Sequence, residues 1–169
     1  MAEASFEQDA GVMQIAEAYS LDAVDLAARN FSITLDWSEA SIRQVERILG
    51  LLHDDMSQSK PSEDAVWTFA KAFGSYIGEV LRRHHGGEWG NINMNGQSFP
   101  GLRQSGGGLI WPWSKANKRL TNGPEDNVWD YYNVVVENVR EVNFTPDPGQ
   151  NTPSDRGANT RKKPWWKFW

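Results

Sequence analysis

Ser62-Glu63-Asp64-Ala65-Val66-Trp67-Thr68-Phe69-Ala70-Lys71-Ala72-Phe73-Gly74-Ser75-Tyr76-Ile77-Gly78-Glu79-Val80-Leu81-Arg82-Arg83-His84-His85-Gly86-Gly87-Glu88-Trp89 decides how this chain folds. Ser62 reads as the N-cap of a long helix, and Glu63 and Asp64 suit the positive end of its dipole. Val66, Phe69, Ala70, Phe73, Ile77, Val80, Leu81 and His84 recur at helical spacing and form one apolar face. Ala70, Gly74 and Gly78 lie four apart. A Gly inside a helix costs about 1 kcal/mol against Ala. Two on one face therefore predict that a backbone or a large ring passes close by, with Gly78 at the contact. Gly86-Gly87 ends the helix after a basic last turn.

On the C-terminal side the period changes. Glu88 to Met94 alternates polar and apolar, and Asn95-Gly96 is a hairpin turn signal. Residues 98–102 and Leu109-Ile110-Trp111 read as two further strands joined through Gly106-Gly107-Gly108, and Pro112 ends the sheet. A short basic helix is predicted over residues 113–120. Asn122-Gly123-Pro124-Glu125-Asp126 starts another, which buries Val128, Tyr132, Val135, Val139 and Val142, with Trp129 and Val136 alongside. The β-prone run Val134-Val135-Val136 leaves a strand there as the alternative.

On the N-terminal side, Asp36 or Ser38 caps a helix whose stripe is Ile42, Val45, Leu49, Leu52 and Met56. Residues 31–35 alternate and read as a short strand or an extended connection. Residues 7–29 are Ala-rich and weakly periodic, with a helix restart expected at Ser20. The fold class is α+β: a short antiparallel sheet of about three strands packed against three to five helices, in one globular domain over residues 1–144.

Residues 145–160, rich in Pro, Gly and small polar residues, read as a flexible linker. Residues 161–169 form a basic aromatic C-terminal tail. It carries Lys162, Lys163, Trp165, Trp166, Lys167, Phe168 and Trp169. The rings need a surface to leave water, and the cations match an acidic body, since residues 1–155 hold 12 basic and 22 acidic side chains. A protein partner, or self-association through this tail, is expected. A membrane surface is the less favoured landing place. The acidic body argues against nucleic acid.

With 169 residues and 39% apolar content the chain builds one core. It has no cysteine, so disulfides, thiol nucleophiles and thiolate metal sites are excluded. No signal peptide and no membrane span are expected, which points to a cytoplasmic location.

The candidate ligand or partner residues are Glu79, Arg82, Arg83, His84, His85 and Glu88, together with Trp111 and Trp113. Adjacent His residues on a helix point about 100° apart, so no metal site is expected. Glu79 beside the glycine groove either pairs with Arg82 and Arg83, holds backbone donors of the β region, or binds a ligand. Trp111 and Trp113 next to Lys115, Lys118 and Arg119 resemble a stacking platform, or the edge of a core flanked by a snorkelling basic helix. Gly106-Gly107-Gly108 precedes a strand and is not a phosphate loop. No nucleophile elbow is present. No catalytic residue and no cofactor is implied.

Three stretches together carry a resemblance: Leu35-Asp36-Trp37-Ser38 with Ser41-Ile42; Phe73-Gly74-Ser75-Tyr76-Ile77-Gly78-Glu79-Val80 running into Gly86-Gly87-Glu88-Trp89; and Ile110-Trp111-Pro112 with Lys118-Arg119-Leu120 and residues 122–126. Over residues 35–132 the chain resembles a family of small uncharacterised bacterial proteins, a domain of unknown function marked by a Gly-Glu helix followed by Gly-Gly-x-Trp. That resemblance implies an immunity or accessory role near secreted-toxin systems, and no catalytic residues. The main expectation is a non-enzymatic protein-interaction factor. The alternatives are a small-ligand-binding or hydrolase-like protein using Glu79, His84 and Glu88, and a membrane-surface protein held by its Trp-rich tail.

Overall fold

A computed structural model describes residues 3–143. The expected linker and basic aromatic tail lie outside the described residues. The elements run β1 (Ser5–Gln8), α1 (Ala10–Phe31), α2 (Ile42–Ser59), α3 (Glu63–His85), β2 (Glu88–Met94), β3 (Gln97–Arg103), β4 (Leu109–Ile110), α4 (Pro112–Asn122) and α5 (Val128–Asn143). The strands form one antiparallel sheet in the order β1-β2-β3-β4. This is the α+β class, with one strand more than the expected three.

α3 is the central element. Every residue from Ala72 to Leu81 is buried, Gly74 and Gly78 included. A helix buried on all sides must be covered by several neighbours. α1 and α4 pack along it, and Trp89 of β2 closes one end. The glycines make the close approaches possible. A Cβ on Gly74 would stand 2.6 Å from the Pro112 carbonyl oxygen and 2.7 Å from Trp113 Cα, so the α4 backbone rests on that position. A Cβ on Gly78 would stand 2.5 Å from Cη2 of the Trp89 ring and 3.3 Å from the Pro112 ring.

α1 runs unbroken through Ser20. The restart expected there does not occur, because the Ser20 hydroxyl donates to the Glu17 carbonyl at 2.6 Å instead of capping a new turn. Asp9 caps α1, accepting from Gly11 and Val12, and its second carboxylate oxygen takes the Asn91 side-chain amide at 2.9 Å. Residues 32–36 form a connection, not a strand: Ser32 turns the chain out of α1 at φ 55°, and none of them pairs in the sheet. The expected cap before α2 uses both candidate residues. Asp36 Oδ1 accepts from the Ser38 hydroxyl at 2.6 Å, and Ser38 Oγ accepts from the Ser41 N–H over a short 3-10 turn, Glu39–Ser41.

Asn95 and Gly96 both take positive φ, 53° and 76°, as the two-residue hairpin turn demands. Pro112 opens α4 at its first position instead of merely ending the sheet. Residues 124–126 make a 3-10 turn, and α5 starts after Asn127, whose side chain accepts from the N–H groups of Trp129 and Asp130. Val134-Val135-Val136 is helical, not a strand.

Candidate functional site

The residues singled out at the end of α3 are not gathered into one site. Glu79 is fully buried. Its carboxylate is gripped by Arg82, with Nε to Oε1 and Nη2 to Oε2 both at 2.9 Å. The Trp89 indole N–H donates to Oε1 at 2.7 Å, and Arg83 Nε lies 3.5 Å from Oε2. The donor from the β region is thus a tryptophan side chain, not a backbone. Burial alone would push the Glu79 carboxyl upward. The Arg82 and Trp89 hydrogen bonds and the two guanidinium charges outweigh it and hold the carboxyl below the usual carboxylate range. A carboxyl depressed in the folded state adds stability above its unfolded pKa of about 4.3, and that stability is lost as pH falls through the folded value. Acid unfolding of Glu79→Gln should therefore show a shallower loss of stability below about pH 4.3 than the parent chain, read by circular dichroism across a pH series. Parallel curves would show that Glu79 does not titrate with unfolding.

His84, expected to extend the apolar stripe, is exposed, and its Nε2 meets the Trp37 carbonyl at 2.8 Å. His85 is the one turned inward. Its Nε2 pairs closely with Glu39 Oε1, which also accepts from the Tyr132 hydroxyl at 2.8 Å. Glu88 pairs with Arg103 across the β2–β3 ladder. The two histidines thus both tie the α1–α2 connection, at Trp37 and at Glu39, and Glu88 serves the sheet. Among the described residues no group of three or more His, Asp or Glu could hold a metal ion.

Trp37 is held in a conformation few large residues adopt, φ 64°. Its N–H donates to the Tyr76 hydroxyl at 2.9 Å, its ring lies 4.8 Å from the Tyr76 ring, and the Arg83 guanidinium stacks 3.8 Å from its centroid. With His84 on its carbonyl, every part of this residue is engaged, which is what holds a strained backbone in place.

The tryptophans near α4 are not a stacking platform. The Trp113 indole donates to the buried Ser75 hydroxyl at 2.7 Å, and Tyr19 meets its ring edge-on at 5.8 Å. Trp111 is half-buried before the helix. The basic residues of α4 do not all snorkel into water. Lys115 is buried with Asp126 at 2.9 Å, and Arg119 is buried with Glu46 at 2.8 Å. Glu46 also accepts the Val128 N–H at 2.8 Å, so one α2 carboxylate ties α4 to the start of α5. Lys118 remains half-buried at the helix surface.

The feature that sequence reading missed lies on α5. Its apolar face is one wide stripe: Val128, Tyr131, Tyr132, Val135, Val136 and Val139 are all buried, and one flank of that stripe is open. Tyr131, Val134, Val135, Asn138, Val139 and Val142 recur at i, i+3, i+4, i+7, i+8 and i+11 and line a groove of about 560 Å³. The opposite wall is the β3–β4 loop (Gln104, Gly106, Gly108) with Leu109 and Ile110, and Lys115, Glu125, Asn127 and Asp130 close the far end. At the near end a Cβ on Gly106 would stand 3.0 Å from Val142 Cγ1, so the absence of a side chain lets the loop lie against the helix. Val142, expected in the core, is 57% exposed at the groove mouth. The groove has the size and mostly apolar lining of a binding pocket, rimmed by the exposed acids Glu125 and Asp130. The visible signal was Val134-Val135-Val136, a run that widens the apolar face of α5 beyond a single stripe.

No family model matches the chain, and no curated protein matches it. A crystal structure at 1.50 Å from Bacteroides thetaiotaomicron VPI-5482 is similar in fold, with a TM-score of 0.60 and 15% identity. The similarity covers 80% of this chain and 48% of that one, so the chain spans about half the length of its structural neighbour. No helix among the described residues is long and apolar enough to cross a membrane.

Proposed function

We propose that the chain is a non-enzymatic interaction protein that takes an aromatic segment of a protein into the groove along α5. The observation that carries this reading is a contrast within the molecule. The acids and bases at the end of α3 are spent on internal pairs that fix Trp37, Trp89 and Tyr132, whereas the α5 stripe lines an open apolar groove. An apolar groove along a helix with acids at its rim favours rings carrying cations. The resemblance over residues 35–132 points the same way, to a bacterial immunity or accessory factor.

The test is selection of a displayed random peptide library on the immobilised full chain. Enriched peptides should be rich in Trp, Phe and Lys or Arg. Val142→Lys, a change at an exposed position, should weaken them at least about tenfold, because it sets a cation at the groove mouth against the cations of the peptides. His84→Ala and Glu88→Ala should leave binding unchanged. Peptides that bind Val142→Lys as well as the parent would remove the groove from the account, and loss through His84 or Glu88 would favour the small-ligand reading.

A further inference from the structure

We propose that the groove along α5 is occupied by this chain's own residues 164–169, Pro164-Trp165-Trp166-Lys167-Phe168-Trp169, folded back from the same molecule. The proposal rests on the reading of the groove as a docking site and names its resident ligand.

Three observations carry it. The first is position. α5 ends at Asn143, one residue beyond Val142, so the chain leaves the helix at the groove mouth. The second is reach. Twenty residues separate Asn143 from Pro164. Twenty residues of unstructured chain reach about 22–27 Å. The groove follows α5 from Val142 back to the Asn127 end, about 22 Å at 1.5 Å per residue. The chain can therefore double back along its own helix without strain. The third is chemistry. The segment supplies four rings within five residues, with Lys167 among them and Lys162 and Lys163 just before. The groove offers valine side chains on its helix wall and Glu125, Asp130 and Glu141 among its lining residues. Its one basic residue, Lys115, is already held by Asp126. Rings enter the apolar floor, and the lysines lie toward the acids.

Docking in the same chain sets the groove's availability. A partner segment has to displace residues 164–169, which are present at the millimolar effective concentration of a short tether. Weak aromatic peptides are excluded, and a partner with a better fit is admitted.

The chain has no cysteine, so a single engineered pair reports proximity cleanly. Asn138→Cys, at an exposed groove position, is combined with Lys167→Cys in the full-length chain. The control pair joins Lys167→Cys to Asp22→Cys on the exposed side of α1. At low micromolar protein, the groove pair should close an intramolecular disulfide at least about tenfold faster than the control pair, as expected for a docked rather than a freely tethered segment. Adding Val142→Lys, which sets a cation against the lysines of the segment, should bring the groove rate down to the control rate. Equal rates for the two pairs overturn the proposal. So does a disulfide formed only between molecules, which would make a second copy the occupant. Equal rates together with anionic-vesicle binding that Trp165→Ala and Trp166→Ala abolish would move the segment to a lipid surface. The peptide selection stays independent of these outcomes. Groove-dependent peptides with equal disulfide rates keep the interaction reading and remove this one. A fast groove pair that no selected peptide slows keeps self-docking and removes the interaction reading.

Discussion

Glu79→Ala is expected to lower the unfolding free energy by about 3–5 kcal/mol, the range seen when one partner of a buried ion pair is removed. The side chain is fully buried, and its carboxylate is the acceptor for two Arg82 donors and the Trp89 indole. Arg82 is 29% exposed and can rehydrate, but the buried Trp89 N–H is left without an acceptor, a loss of about 1–3 kcal/mol by itself. Glu79→Gln keeps an oxygen for the indole and removes the charge, so it should cost less than the alanine change. Urea unfolding followed by circular dichroism gives both numbers. An alanine variant within about 1 kcal/mol of the parent would mean that Trp89 and Arg82 find other partners, and the carboxylate would not be the link between α3 and the sheet.

Gly78→Leu is expected to cost about 3 kcal/mol or more, at or above the upper end of ordinary overpacking. The first carbon of the new side chain already lies within 2.5 Å of the Trp89 ring, with the Pro112 ring 3.3 Å away on another side. Trp89 cannot swing aside without breaking its bond to Glu79. Gly78→Ala should cost less, because it brings one carbon against the Trp89 ring instead of four, while both changes regain helix propensity. A double variant identifies the clash. Trp89→Leu on the Gly78→Leu background should show a favourable coupling, since the two changes together relieve the overlap that either alone leaves or creates. Additive effects would mean that the helix shifts as a body instead.

What was legible in the sequence follows from how local each signal is. The cap at Ser62, the Gly86-Gly87 stop and the Asn95-Gly96 turn are decided by neighbours a few residues away, and all three appear as expected. The closeness at Gly78 was legible because a glycine in a buried helix has few other reasons to be there. The identity of the neighbour was not, since Trp89 reaches it only after the chain turns back. Strand β1 was hidden. Ser5–Gln8 carries one apolar residue, Phe6, and owes its conformation to pairing with β2. The faces of His84 and His85 are not legible because the last turn is governed by Trp37 and Glu39, 47 and 46 residues away in sequence. The cations of α4 were taken as surface groups because their partners Glu46 and Asp126 belong to other elements. The groove is not legible because the stripe on α5 is wider than the core it meets, so that its Val134 and Val142 flank faces the β3–β4 loop instead of the core.

The placement of β1 has a consequence for how the chain is made. Ser5 pairs with Asn93 and Gln8 with Gly90, so the first strand has no partner until the ribosome has added some eighty residues more. At 5–20 residues per second that is a delay on the order of 5–15 s. α1 waits as well, because the helix it covers is α3. An apolar face exposed for so long invites association with other nascent chains. The fully buried apolar residues of α1 are Ala16, Ala23 and Ala27, three methyl groups on a helix of strong intrinsic propensity. The large rings that cover and fill the centre, Phe73, Tyr76 and Trp89, emerge later and close together. Val12, Met13, Val24, Leu26 and Phe31 also pack on the core, so the flanks of α1 stay open to association until α3 emerges to cover them.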